Sequence, residues 1–314
     1  GGSFAFNIKE NNWLGKGMTV SAAAEVSTDS VKGSLSFSDP DFNFTGKELS
    51  YYLKNVKNDK AELGYENRVF GAGVGLSYER FKDIYFSPGL GLTFDDITTD
   101  SSASELLKKQ SGSSVDLMFD YALSTDKRDR RFMPTAGYYT SFFQEIPIYA
   151  DQPHIKNSFS TNHYKEFSED LIGALKFGIT AVNGIDDEDV RVSQRLDLST
   201  KRLRGFEQGK VGPKDGDDFI GGNYTTSLNL EANFPNFFPE KSNAEVGLFL
   251  DAGNVWGVDY SDEIDDSNKL RSTVGLNTSW LSPAGPLSFI FSKNITKAST
   301  DIDQSFNFRL GTTF

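Results

Sequence analysis

The chain has 314 residues, with 32 Lys plus Arg against 44 Asp plus Glu, and its formal charge of -12 repels phosphate backbones and argues against nucleic acid as a partner. It has no cysteine and two histidines, His154 and His163, which excludes disulfides and thiolate chemistry and leaves no Cys/His zinc site. Abundant Gly (29) and Phe (27) favour strands with tight turns over helices.

No run of about 18 apolar residues exists for a helical membrane span. The mean hydropathy of -0.42 resembles that of a soluble protein. In a membrane-spanning barrel only alternate residues meet lipid, so periodicity has to decide. The first strand, around Ser3 to Ile8, sets Phe4 and Phe6 toward lipid and Ala5 and Asn7 inward. Alternation continues at 16 to 27 (Met18, Val20, Ala22, Ala24, Val26), 84 to 95 (Phe86, Leu90, Leu92, Phe94) and 113 to 124 (Val115, Leu117, Phe119, Tyr121, Leu123). The short Ser104 to Gln110 stretch lies between strands and reads as loop, and no helix of note is expected. Further on, Leu228, Leu230, Ala232 and Phe234 alternate with Ser227, Asn229, Glu231 and Asn233, while Val246, Leu248, Leu250 and Ala252 alternate with Glu245, Gly247, Asp251 and Gly253. Phe249 interrupts that polar row. Val274, Leu276 and Trp280, then Leu287, Phe289 and Phe291, and last Phe306, Phe308, Leu310, Thr312 and Phe314 repeat the pattern.

About 16 strands of roughly 9 to 14 residues follow from this reading. The connections include short ones, such as Ser38-Asp39-Pro40 and 282 to 286, and long polar ones, at 96 to 112, 183 to 192, 203 to 221 and 257 to 268. A β-sandwich or propeller would seldom tolerate so many Gly, Ser and Asn on its inner face. The expected fold is all-β: residues 1–314 form a single transmembrane antiparallel β-barrel domain.

Several blocks occur in a fixed order: Leu203-Arg204-Gly205-Phe206, Val211-Gly212-Pro213-Lys214, Gly221-Gly222-Asn223, Asn229-Leu230-Glu231, 249 to 256 and Ser282-Pro283-Ala284-Gly285-Pro286-Leu287, before a last strand ending on Phe314. With Asn11-Asn12-Trp13-Leu14-Gly15 near the start, this order resembles the barrel of the BamA family, although Leu198-Ser199-Thr200-Lys201-Arg202 replaces a Gly pair usual there. The resemblance implies a long plug loop, around 203–221, folded into the lumen with Arg-Gly-Phe at its tip. It also implies a weak seam between first and last strands, formed by Phe4, Phe6, Ile8, Phe308, Leu310, Gly311 and Phe314, with Gly311 at a kink. The function implied is that of a non-enzymatic insertase in the bacterial outer membrane, without cofactors. Its partners would be outer-membrane lipids, unfolded β-barrel substrate proteins and accessory assembly lipoproteins, the last through periplasmic repeats absent from this chain.

By residue parity, Glu231 and Asp251 both point into the lumen, where Arg204 of a plug loop finds a partly desolvated acidic pocket. The competing reading leaves both acids solvated and Arg204 in an external loop. Phe206 reads as an anchor at the loop base and Gly205 as a tight turn. The acidic runs at 186–189, 215–218 and 262–266 lack the ligand spacing of a calcium loop and read as solvated. No residue set suggests a nucleophile or base. The rival readings are a related transporter, TamA-like or a two-partner secretion pore, and a passive porin.

Overall fold

A computed structural model describes residues 3–28, 30–60, 64–131, 133–282 and 285–310. Gly311 and Phe314 lie outside the described residues. Period-two sequence gives an antiparallel meander: β1 (Ser3–Trp13), β2 (Met18–Ser27), β3 (Ser30–Asp39), β4 (Glu48–Lys60), β5 (Tyr65–Phe81), β6 (Ile84–Thr99), β7 (Gly112–Asp126), β8 (Gly137–Ala150), β9 (His154–Ser168) and β10 (Leu171–Gly184). The chain then leaves the wall for residues 185–223, which carry the two-residue strands β11 (Lys214–Asp215) and β12 (Asp218–Phe219). It returns as β13 (Tyr224–Phe234), β14 (Ala244–Trp256), β15 (Arg271–Ser282), β16 (Gly285–Thr296) and β17 (Phe306–Leu310).

The distribution of side chains is inverted relative to a soluble protein. Leu228, Leu230, Leu248 and Leu250 point outward and are between 39% and 52% exposed, whereas Asn229 and Asp251 on the inner face have no accessible surface. An apolar exterior around a polar lumen is the arrangement that hydrocarbon requires. β5 has 17 residues and β6 has 16, more than the roughly 9 to 11 that a tilted strand needs to cross a bilayer. At one rim the connections are mostly tight (82–83, 169–170), with 40–47, 127–136 and 235–243 longer; at the other stand 100–111, 185–223, 257–270 and 297–305.

Excluding β11 and β12, fifteen strands form the ring among the described residues. The sequence pattern predicts about sixteen, and the ring agrees with it. Neighbours are antiparallel from β1 round to β17, so an odd count makes the two end strands run in the same direction. Among the described residues they meet in parallel through a single residue pair, Phe4 opposite Leu310, whereas β1 and β2 stay paired from Ser3 opposite Ser27 to Trp13 opposite Met18. The wall is therefore continuous except at one thinly sealed seam.

The outer connections are not the solvated loops that their polarity suggests. Ile97, Ala103, Leu107, Val192, Phe219 and Ile220 are all buried together in a small hydrophobic dome over the long-loop rim. The 104–110 stretch contributes a short helix, α1 (Glu105–Lys109), where a loop was expected. Ser104 caps it by accepting from the Leu107 amide at 3.2 Å, and burial of Leu107 under the dome stabilises a helix too short to persist alone. Asp218, from an acidic run read as solvated, is buried and accepts from the Ser104 amide at 3.2 Å.

Hydrogen exchange in detergent micelles checks the seam. Amides of β17 and of residues 4–8 should exchange faster than those of β5 and β6, which are paired on both sides. Equal protection would mean a sealed wall.

Candidate functional site

The site is built on two neighbouring strands. In the β13–β14 register Asn229 stands opposite Asp251 and Glu231 opposite Phe249, which puts a square of four inward side chains on the lumen wall. The 185–223 segment descends onto this square. Its tip is turned by the Arg202 and Leu203 amides, which donate to the Ser199 carbonyl at 2.8 and 3.0 Å. Gly205 follows with φ of +93°, and a Cβ there would lie 2.6 Å from Asn294 Oδ1 and 2.9 Å from Thr273 Cγ2, so the tip lies too close to the wall for a side chain.

Arg204 sits over the centre of the square. Its Nε donates to Asp251 Oδ2 at 2.7 Å and its Nη2 to Asp251 Oδ1 at 2.6 Å, a forked contact reinforced by its backbone amide at 3.1 Å from Oδ2. Nη2 also lies 3.0 Å from Glu231 Oε1, and the guanidinium carbon is 3.7 Å from the centroid of the Phe249 ring. Asn229 Nδ2 bridges Asp251 Oδ1 and the Arg202 carbonyl, each at 2.8 Å. Lys176 on β10 donates to both Glu231 oxygens at 3.1 Å. Burial disfavours the charged guanidinium, but Asp251 and Glu231 outweigh it and raise Arg204 above the ordinary arginine value.

Phe206 is 2% exposed and packs with Leu203, Val211 and Val255. Around it the plug pairs with the 297–305 connection that leads into β17. The Glu207 amide donates to the Ile302 carbonyl, the Gln304 amide to the Gly205 carbonyl and the Ile302 amide to the Lys210 carbonyl, at 3.0, 3.0 and 3.1 Å. Arg309 of β17 donates to Thr200 Oγ1 of the plug. The segment that replaces the family's Gly pair thus touches the last strand directly.

Three further arginines hold the loops, and sequence reading singled out none of them. Arg191 donates to Asp95 Oδ2 at 3.1 Å and to the Gly112 carbonyl at 2.6 Å. Arg195 donates to Asp259 Oδ1 at 2.7 Å and to the Gly257 carbonyl at 2.6 Å; burial, stronger than the pull of Asp259, lowers its pKa. Arg271 and Asp301, both without accessible side-chain surface, form a fork at 2.8 and 3.0 Å, and Asp301 also accepts from the Gly212 amide at 3.3 Å. Asn229, Lys176 and Phe249 were likewise not assigned a role. Phe249 alone left a signal, the break in its strand's polar row.

The seam residues stand apart from this cluster. Phe4, Phe6 and Ile8 are 59%, 54% and 58% exposed on the outer wall, and Phe308 packs outward with its ring 5.2 Å from that of Phe289. Among the described residues of the seam, Leu310 pairs through its backbone with Phe4. Among the described residues no group of three or more His, Asp or Glu side chains is placed to hold a metal ion.

Arg204→Ala would leave Asp251 buried without its cation, a change that costs about 3 to 5 kcal/mol in a dry site. The expected result is faster proteolysis within 199–212 of a barrel that still folds, with Arg204→Lys only partly protective because it lacks the fork. Unchanged loop protection would remove the latch.

The chain is 28% identical over 271 residues to the outer membrane protein assembly factor BamA of Neorickettsia risticii, covering 84% of this chain and 36% of that protein. It is 28% identical over 361 residues to the protein of the same name from Neisseria meningitidis serogroup B, covering 98% of this chain and 44% of that protein. The chain thus spans less than half the length of these relatives. The crystal structure of BamA from Haemophilus ducreyi lacking POTRA domains 1-3 superposes with a TM-score of 0.83 at 25% identity, over 98% of this chain and 66% of that one. The pattern of the Omp85 superfamily domain matches residues 12–314, and with the barrel, its thin seam and its internal loop in place, the chain belongs to the Omp85 superfamily.

Proposed function

We propose that this barrel is a non-enzymatic insertase of the bacterial outer membrane, which folds other β-barrel proteins by templating their strands at the β1–β17 seam. The observation that carries this reading is the thin seam. Among the described residues β1 and β17 share the pair Phe4 and Leu310, while every other neighbour pair of the ring is joined by a longer ladder, so the seam is where an incoming strand can pair with an edge. An exposed strand edge in hydrocarbon leaves amides and carbonyls unpaired at several kcal/mol each, so the edges favour a strand that satisfies them. The free energy of insertion comes from the substrate's own apolar burial, and the seam lowers only the barrier.

The latch supports this role by holding the plug. Arg204 fixes the tip on β13 and β14, and the backbone pairing of 205–210 with 302–304 ties that tip to the approach of β17. Plug position and seam strand therefore move together. Outer-membrane lipids and unfolded β-barrel substrates are the direct partners on this reading. Accessory assembly lipoproteins would engage periplasmic repeats, which are not part of these 314 residues.

Vesicles reconstituted with the protein provide the test. An unfolded barrel protein added outside should fold several-fold faster than in empty vesicles, and Arg204→Ala should slow it. A steady ionic conductance with no effect on folding would favour the secretion pore or porin and overturn the insertase.

A further inference from the structure

The outer wall carries a feature that neither the latch nor the seam uses. Between the 235–243 connection and the ends of β15 and β16 runs an open groove of about 760 Å³, within the roughly 300 to 1,000 Å³ of small-molecule sites. Phe238, Ala244, Trp280, Leu281 and Phe289 give it an apolar lining, and Lys241, Ser242 and Asn243 add polar groups on the rim side. Its shape is fixed at both ends. Asn236 Nδ2 donates to the Glu169 carbonyl at 3.0 Å and to Asp170 Oδ1 at 2.9 Å, and the Leu281 amide donates to the Asn243 carbonyl at 3.0 Å. Between these ties the turn Glu240–Ser242 is closed by the Ser242 amide on the Pro239 carbonyl at 2.8 Å. On the wall, Ala244 stands opposite Trp280 and Thr278 opposite Phe289, so a small residue beside each large one leaves the hollow. Phe289 also backs Phe308 of the last strand, which puts the groove one strand from the seam.

A hollow on the outside of a membrane barrel, at the tight-turn rim, lies where hydrocarbon gives way to headgroups, so its occupant needs an apolar body and a polar end. We infer that the groove binds one diacyl phospholipid with a zwitterionic headgroup, an acyl chain lying along Trp280 and Phe289 and the phosphate meeting Lys241. Lys241 is exposed and has no carboxylate within ion-pair distance among the described residues. The surrounding charges choose the headgroup. On the 235–243 connection and the adjoining strand ends at 165–170, Lys165 and Lys241 stand among four carboxylates, Glu166, Glu169, Asp170 and Glu240, while Glu245 points into the lumen. A headgroup of net negative charge is repelled by that excess, whereas a phosphate balanced by its own ammonium is not.

Brominated dioleoyl phosphatidylethanolamine, which quenches indole fluorescence on contact, tests the site on the 314-residue chain in nonionic detergent. The chain has three tryptophans, so Trp13→Phe with Trp256→Phe leaves Trp280 as the reporter. Trp256→Phe with Trp280→Phe leaves Trp13, 45% exposed at the same rim, as the control for lipid that merely surrounds the barrel. Quenching of Trp280 should saturate at one lipid per chain, while that of Trp13 climbs without saturating. Ala244→Phe, which fills the hollow, should abolish the saturable phase, and Lys241→Gln should weaken it about tenfold. Unlabelled diacylglycerol and phosphatidylglycerol should each compete about tenfold less well than phosphatidylethanolamine. Retention of the compact, heat-modifiable gel band shows that each variant remains folded. Unsaturable quenching of both reporters, or a saturable phase that survives Ala244→Phe, would mean surrounding lipid only and no site. Full binding by Lys241→Gln or equal competition by diacylglycerol would remove the phosphate contact, and equal competition by phosphatidylglycerol would remove the choice of headgroup. No substrate protein is involved, so these failures would leave the insertase reading untouched.

Discussion

A backbone that crosses hydrocarbon must pair its own amides and carbonyls, and this single requirement shapes everything else in the molecule. It forces the strands into a ring, turns their apolar side chains outward and leaves a lumen that only polar groups or a plug can fill. The ring meets the requirement everywhere but one place. The first and last strands of the ring run parallel and, among the described residues, meet at Phe4 and Leu310.

Inside the lumen the plug faces the opposite difficulty. Residues 185–223 have almost no ladder of their own, and a segment of that length seldom holds one path without other contacts. Arginine supplies these contacts. A guanidinium offers five donors in a plane, so Arg191 and Arg195 each satisfy a carboxylate and loop carbonyls together, and Arg204 joins a carboxylate to an aromatic face. Burying such a charge is costly unless every donor is used, which is why these residues specify the loop's path so strongly.

The wall could be read from sequence because alternation needs no tertiary information. Parity alone put Glu231 and Asp251 on the same wet face, and the structure brings Arg204 to both. Phe249 reads as a blemish because the reason for an inward aromatic lies on a distant loop, where Arg204 waits for a flat partner. Arg191, Arg195 and Arg271 look like ordinary solvated charges, since nothing local announces that Asp95, Asp259 and Asp301 will meet them. The dome was hidden for a related reason: Leu107, Val192 and Phe219 come from separate connections and share no period.

The separation of the latch partners along the chain fixes an order of events during the protein's own folding. Asp251 lies 47 residues after Arg204, and Asp301 lies 89 residues after Gly212. The stopper is therefore synthesised before the surfaces that receive it, and it stays unseated until the final third of the chain has taken its place. Contacts so far apart pay their closure entropy late, which makes docking of this loop a terminal step in maturation and leaves any prematurely halted chain with an open bore.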